Sequence, residues 1–105
     1  MKPLEFLGSS LDDLRKMPKV ARQALGEALL EMQDGGMPGD FKPMLVVGSG
    51  VFEIRYRDTS GVFRVMTVAK FASAIYVLHA FQKKTQKTDP ADIELAAKRY
   101  RMIGE

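Results

Sequence analysis

The order of apolar and polar positions divides the chain into a helical first third, a strand-rich middle and a helical end. From residue 18 to about residue 34, Ala21, Leu25, Ala28, Leu29 and Met32 recur at helical spacing, while Lys19, Arg22, Gln23, Glu27 and Glu31 fall mostly on the opposite side. This pattern predicts an amphipathic helix that Pro18 opens at its first position and Gly35-Gly36 stops. A shorter helix precedes it. Ser10 stands as its cap, Asp13 occupies the position from which a side chain reaches back, and Leu11 and Leu14 share a face. The two helices meet at a proline corner with no distinct recognition helix, which argues against a DNA-binding helix-turn-helix.

Residues 37–43, with two prolines and a glycine, read as loop. The period then changes to two. Residues 44–47 form a short apolar run that Gly48-Ser49-Gly50 turns around. Over residues 51–57, Phe52, Ile54 and Tyr56 alternate with Glu53, Arg55 and Arg57. Asp58-Thr59-Ser60-Gly61 supplies a hairpin turn. In the next strand, residues 62–68, Phe63 and Val65 alternate with Arg64 and Met66. Residues 70–74 connect to the longest strand, residues 75–84. Thr88 then caps a last helix opened by Pro90. Asp92 and Glu94 suit its N-terminal dipole, Lys98, Arg99 and Arg101 its C-terminal one, and Ile93, Ala96, Ala97 and Tyr100 form its apolar stripe. The expected architecture is α+β: two N-terminal helices, about four mainly antiparallel strands and a C-terminal helix, with the helices on one face of the sheet.

A length of 105 residues with 46% hydrophobic positions fits one domain, spanning 1–105, around one core. The absence of cysteine removes disulfides and thiolate zinc sites and suits a reducing cytoplasm, the expected location. No apolar run is long enough to span a bilayer, and the first residues lack a signal-peptide pattern, so no membrane partner is expected. The net charge of +3 is unevenly placed. Arg55, Arg57, Arg64, Lys70, Lys83, Lys84 and Lys87 stand against only Glu53 and Asp58 over residues 53–87, so the rest of the chain is net acidic. Such a concentration fits either a solvated strand surface or a phosphate-rich partner.

The chemistry available narrows quickly. His79 is the only histidine, and no carboxylates stand at ligand spacing from it, so no metal is expected. The Gly48-Ser49-Gly50 turn lacks a dinucleotide fingerprint and the helix that would follow it, and reads as plain turn chemistry. Strict alternation puts His79 with Ile75, Val77 and Phe81 on the core face, which favours a hydrogen-bonded structural histidine over one in a site. Arg55, Arg57 and Arg64 share the face opposite Phe52, Ile54, Phe63 and Val65 and are expected to be exposed together, with Lys83 and Lys84 ending the neighbouring strand. Such forks and ammonium groups can hold RNA by its phosphates and neutralise charge that grows on phosphorus in a transition state. A neighbouring 2′-hydroxyl then suffices as nucleophile. Candidate catalytic residues are Arg64, Arg55, Lys84, Glu53 and His79, and candidate RNA contacts are Arg57, Lys70, Lys83 and Lys87. The general acid and base stay open among Glu53, His79, a lysine of shifted pKa and a group on a partner. Tyr56 and Tyr76 serve either base stacking or packing. An exposed Arg64 would contribute little stability, so its replacement is expected to spare folding.

The run Ile75-Tyr76-Val77-Leu78-His79-Ala80-Phe81-Gln82-Lys83-Lys84-Thr85-Gln86-Lys87-Thr88 resembles the signature of the phage-derived, HigB-like branch of the RelE/ParE toxin superfamily. The helix that follows, with Asp92-Ile93-Glu94-Leu95-Ala96-Ala97-Lys98-Arg99, is similar to that family's, as are Phe41-Lys42-Pro43-Met44, Gly50-Val51-Phe52-Glu53-Ile54-Arg55 and Gly61-Val62-Phe63-Arg64-Val65. The resemblance extends over residues 11–101. It implies a RelE-like fold and the toxin of a type II toxin–antitoxin system, an endoribonuclease (mRNA interferase) that enters the ribosome and cuts translated mRNA without metal or cofactor. It also implies a cognate antitoxin, often a helix-turn-helix protein. By the same resemblance Arg64 contacts the scissile phosphate, Arg55 and Arg57 form a basic pair on the preceding strand, and Lys84 with Lys83 ends the last one. Two departures stand out. Many ribosome-dependent relatives carry a catalytic tyrosine or histidine near the C-terminus, where this chain has only Tyr100 at a helical core position, and Lys84 stands where some relatives have arginine. The alternatives are a ParE-type inhibitor of DNA gyrase and a phage-derived binding or regulatory protein.

Overall fold

The computed structural model describes residues 1–84 and 87–104; Thr85 and Gln86 of the run quoted above, and Glu105, lie outside the described residues. The elements are β1 (Leu4–Phe6), α1 (Ser10–Arg15), α2 (Lys19–Gln33), β2 (Phe41–Pro43), β3 (Val51–Asp58), β4 (Gly61–Val68), β5 (Ile75–Lys83) and α3 (Pro90–Arg101). The strands form a five-stranded sheet in the order β1-β5-β4-β3-β2. Its pairs are antiparallel except β1 with β5, which is parallel. Among the described residues no helix is long and apolar enough to cross a membrane.

The α2 helix follows its pattern closely. Ala21, Leu25, Leu29 and Met32 are buried, although Pro18 is the cap residue rather than the first helical one. The stop is a Schellman motif: the Gly36 amide donates to the Glu31 carbonyl and the Gly35 amide to Met32, both at 3.0 Å, with Gly35 at φ +91°. The α1 helix is capped one position earlier than the sequence suggests. Ser9 is the cap residue, and its hydroxyl donates to Asp13 Oδ2 at 2.7 Å. Ser10 is wholly buried and donates to the Val77 carbonyl at 3.2 Å, tying α1 to the sheet.

Three expectations about the strands are corrected. Leu4–Phe6 forms a strand, β1, too short to show a period of its own. Residues 44–47 are a turn closed by the Val47 amide on the Met44 carbonyl at 3.0 Å, while the strand lies in the stretch read as loop. There Phe41 pairs with Ile54 and its ring meets Phe52 edge-on at 5.4 Å, and Pro43 is tolerated because β2 is an edge strand. Helices also cover both faces of the sheet, not one. One cluster joins Leu14, Met17, Leu25 and Leu29 to Ile54, Phe63, Val65 and Val77, and a second joins α3 through Ala96 to Val51, Met66, Val68 and Leu78. Met66 and Val68 lie on the Arg64 side of β4, and an apolar stretch there needs its own cover.

A bulge in β5 decides what each face carries. Met66 pairs with His79 but Thr67 pairs with Val77, which leaves Leu78 as an extra residue. Ile75 and Val77 face α1 and α2 before the bulge, and Ala80 does so after it. His79 and Phe81 are thereby turned toward α3, against strict alternation. The bulge carbonyl of Leu78 accepts Arg99 Nη1 at 2.9 Å, while Arg99 Nη2 donates to Ser9 Oγ at 3.2 Å. Gly8, at φ +55°, lets the chain pass this buried guanidinium, since a Cβ there would lie 2.5 Å from Arg99 Nε. Replacing Arg99 with Met should therefore leave a buried carbonyl unsatisfied at a cost of about 2 kcal/mol. Urea unfolding checks this, and an unchanged midpoint would show that the bulge holds without its clamp.

Candidate functional site

Strand register arranges the side of the sheet under α3 in rows. Glu53, Met66 and His79 form one row; Arg55, Arg64 and Phe81 the next; Arg57, Val62 and Lys83 the last. The start of α3 reaches the first row, where His79 Nε2 and Asp92 Oδ1 are 2.7 Å apart. Beyond it the face turns basic and opens into two adjoining clefts. The larger, about 660 Å³, is lined by Arg57, Asp58, Gly61, Val62, Arg64, Lys83 and Lys84. The smaller, about 360 Å³, is lined by Asp40, Arg55, Arg57, Val62 and Arg64. Arg57, Val62 and Arg64 belong to both.

Arg64 is not exposed, as the alternation suggested; it is 3% accessible. Its Nη1 donates to Oε1 of the wholly buried Glu53, whose Oε2 accepts the Thr88 hydroxyl at 3.2 Å. A guanidinium withdrawn this far from water requires a counter-charge, and the adjacent row of β3 supplies it. Arg64 Nε is also buried and has no partner among the described residues. Arg55 is paired too, with Nε and Nη2 donating to Asp40 Oδ1 at 2.9 and 2.7 Å, but this pair is partly exposed and screened. Among the described residues Arg57, Lys83 and Lys84 form no ion pair. Lys83 titrates below the usual lysine value, first because burial penalises its charge and then because Arg64 repels it, with Glu53 opposing.

Five of the candidate residues are thus brought together: Arg55, Arg57, Arg64, Lys83 and Lys84. Glu53 lies behind Arg64 and lines neither cleft. His79 also lines neither, being held by Asp92 and stacked on Phe81 at 4.7 Å. Lys70 lies at the far end of β4, its ammonium 5.2 and 5.6 Å from the ring centres of Phe71 and Tyr100. Lys87 is exposed on the lead into α3. Tyr56 packs toward α2 and donates to Asp58 Oδ2 at 2.9 Å, a bond that raises its pKa, while Tyr76 packs beside Phe71 under α3. Neither offers a free ring face in the clefts. Tyr100 donates to the Ser49 carbonyl at 2.9 Å, a packing role at the other end of α3. Among the described residues no group of three or more potential ligands is placed to hold a metal ion.

Two participants escaped the sequence reading. Thr88 looked like the cap of α3, but Asp89 fills that role by accepting the Ala91 amide at 2.8 Å, which frees Thr88 for Glu53. Asp40 sits in a proline- and glycine-rich stretch with no local sign that β2 would bring it to Arg55. Burial also reverses the expectation that Arg64 is dispensable for folding. Arg64→Ala strands the Glu53 carboxylate and should cost about 3–5 kcal/mol. The double variant Glu53→Gln, Arg64→Gln should recover most of that loss in urea unfolding; equal destabilisation of the two proteins would contradict the buried-pair account.

A comparison with curated proteins gives no match. A family model described as phage-derived protein Gp49-like (DUF891) matches residues 12–101, a span that includes every residue of both clefts and all of the sheet except β1. The chain belongs to the phage-derived Gp49-like family.

Proposed function

We propose that this chain is the toxin of a toxin–antitoxin pair and that it cuts RNA at a phosphate seated against Arg64. The observation that carries the reading is the position of Arg64 at the floor shared by two open clefts, with Arg57, Lys83 and Lys84 around it uncommitted to any described carboxylate. Membership of a phage-derived family and the resemblance to HigB-like toxins support the same reading. The substrate is mRNA held on the ribosome, and the partner that silences the protein is a cognate antitoxin.

The chemistry follows from the placement. Arg64 neutralises charge on the scissile phosphate, and Arg57 and Lys84 hold the strand on either side. Lys83 is the base of this reading, because it lines the larger cleft with Arg64, and burial and Arg64 both lower its pKa. It takes the 2′-hydroxyl proton, the oxygen attacks the adjacent phosphorus, and the 5′-oxygen leaves with a proton taken from water, giving a 2′,3′-cyclic phosphate. Glu53, behind Arg64, acts as counter-ion, and His79 holds α3 in place.

The test is cleavage of a defined mRNA by purified protein with ribosomes present or absent. Cuts confined to translated mRNA, ending in a cyclic phosphate, are expected. Cuts on free RNA would remove the ribosome from the mechanism, and no cuts from folded, antitoxin-free protein would retire the nuclease in favour of a binding toxin, with gyrase the next target. Lys83→Arg keeps the charge but should slow cleavage by about 10²-fold or more. The wild-type rate should rise with pH, since only the neutral amine accepts a proton, and level off above a Lys83 pKa that lies below the ordinary lysine value. A flat profile, or a fully active Lys83→Arg protein, would exclude Lys83 as the base.

A further inference from the structure

We infer that Glu53 is a built-in competitor for the phosphate that Arg64 binds, so that the site resists single phosphate groups and admits only a strand whose neighbouring phosphates are held at the same time. The inference rests on the proposed RNA reading for its substrate, but not for its physics. Arg64 lines both clefts while being almost wholly inaccessible, so it meets an incoming anion only along one edge. The planar acceptor face of a carboxylate and that of a phosphate match the guanidinium fork in the same way. Glu53 already occupies part of that fork, and its second oxygen is fixed by Thr88 at 3.2 Å, so the carboxylate is anchored at two points. Arg64 Nε is buried and without a partner among the described residues, so the guanidinium is not fully satisfied by Glu53 alone.

Competition follows from burial. A lone anion that drew Arg64 away would leave a buried carboxylate without its counter-charge, and separating such a pair is unfavourable. An RNA strand brings further phosphates to Arg57 and Lys84, whose charges are not offset by any ion pair among the described residues. Those contacts supply the free energy that a single phosphate lacks. The exposed Arg55–Asp40 pair cannot act in this way, since water screens it and its separation is nearly neutral. Glu53 is thus a specificity-determining residue that acts through Arg64.

Thermal unfolding in inorganic phosphate against chloride at equal ionic strength tests this without RNA or ribosomes. Glu53→Gln keeps the side chain's shape, with Oε1 accepting from Arg64 and Nε2 donating to the Thr88 hydroxyl oxygen, but removes the charge. The wild-type midpoint should respond weakly to phosphate, whereas E53Q should bind it about 10-fold more tightly or better, with a matching rise in midpoint. Adding Arg64→Gln to E53Q should abolish the response. An E53Q protein no more responsive than wild type, or a double variant that stays responsive, would overturn the inference. If E53Q does not fold, Thr88→Val releases one anchor of Glu53 and should still strengthen the response; a response equal to wild type would overturn the inference equally. A protein that shows the E53Q effect yet cuts no mRNA would lose the nuclease reading and keep the counter-ion.

Discussion

The buried pair of Arg64 and Glu53 stands where the apolar half of one sheet face gives way to its basic half. Two opposite charges withdrawn from water gain little net stability, but either one alone is strongly unfavourable, so each residue dictates the presence of the other. The pair also sets what can surround it. Thr88 must approach to complete the Glu53 carboxylate, which brings the lead of α3 over the sheet, and His79 with Asp92 fixes the helix one row away. The clefts open where that cover stops. Their floor is consequently a guanidinium in a low-dielectric setting, where an electrostatic contact is worth more than on an open surface.

The second constraint is the bulge at Leu78. Without it His79 and Phe81 would face α1 and α2, and Ala80 would lie under α3. Arg99 clamps the extra carbonyl and reaches Ser9 at the head of α1, so one side chain links the last helix, the bulged strand and the first helix. The arginines of the sheet and of its clamp divide accordingly. Arg99 is committed to the backbone, Arg55 and Arg64 to carboxylates, and Arg57 remains available.

Periodicity made α2, the β3–β4 hairpin, the β5 strand and α3 readable to within a residue or two, because each is long enough to repeat its pattern. It could not reveal β1 or β2, which hold three residues each and exist only through pairing with β5 and β3. The basic face was readable from Arg55, Arg57 and Arg64, since alternation holds along β3 and β4. The burial of Arg64 with Glu53 was not, and Thr88, which completes the Glu53 carboxylate, comes from the far side of β5 in sequence. His79 was misplaced for a related reason: one inserted residue inverts every parity argument beyond it.

The most direct test of the site is a structure of the protein on a ribosome carrying mRNA with a 2′-O-methyl group at the cleavage position, which binds but cannot react. The account predicts the scissile phosphate within hydrogen-bond distance of the Arg64 guanidinium, with Lys83 beside the blocked 2′-oxygen and Glu53 parted from Arg64. A strand resting on Arg57 and Lys84 alone, with Arg64 still paired to Glu53, would contradict it.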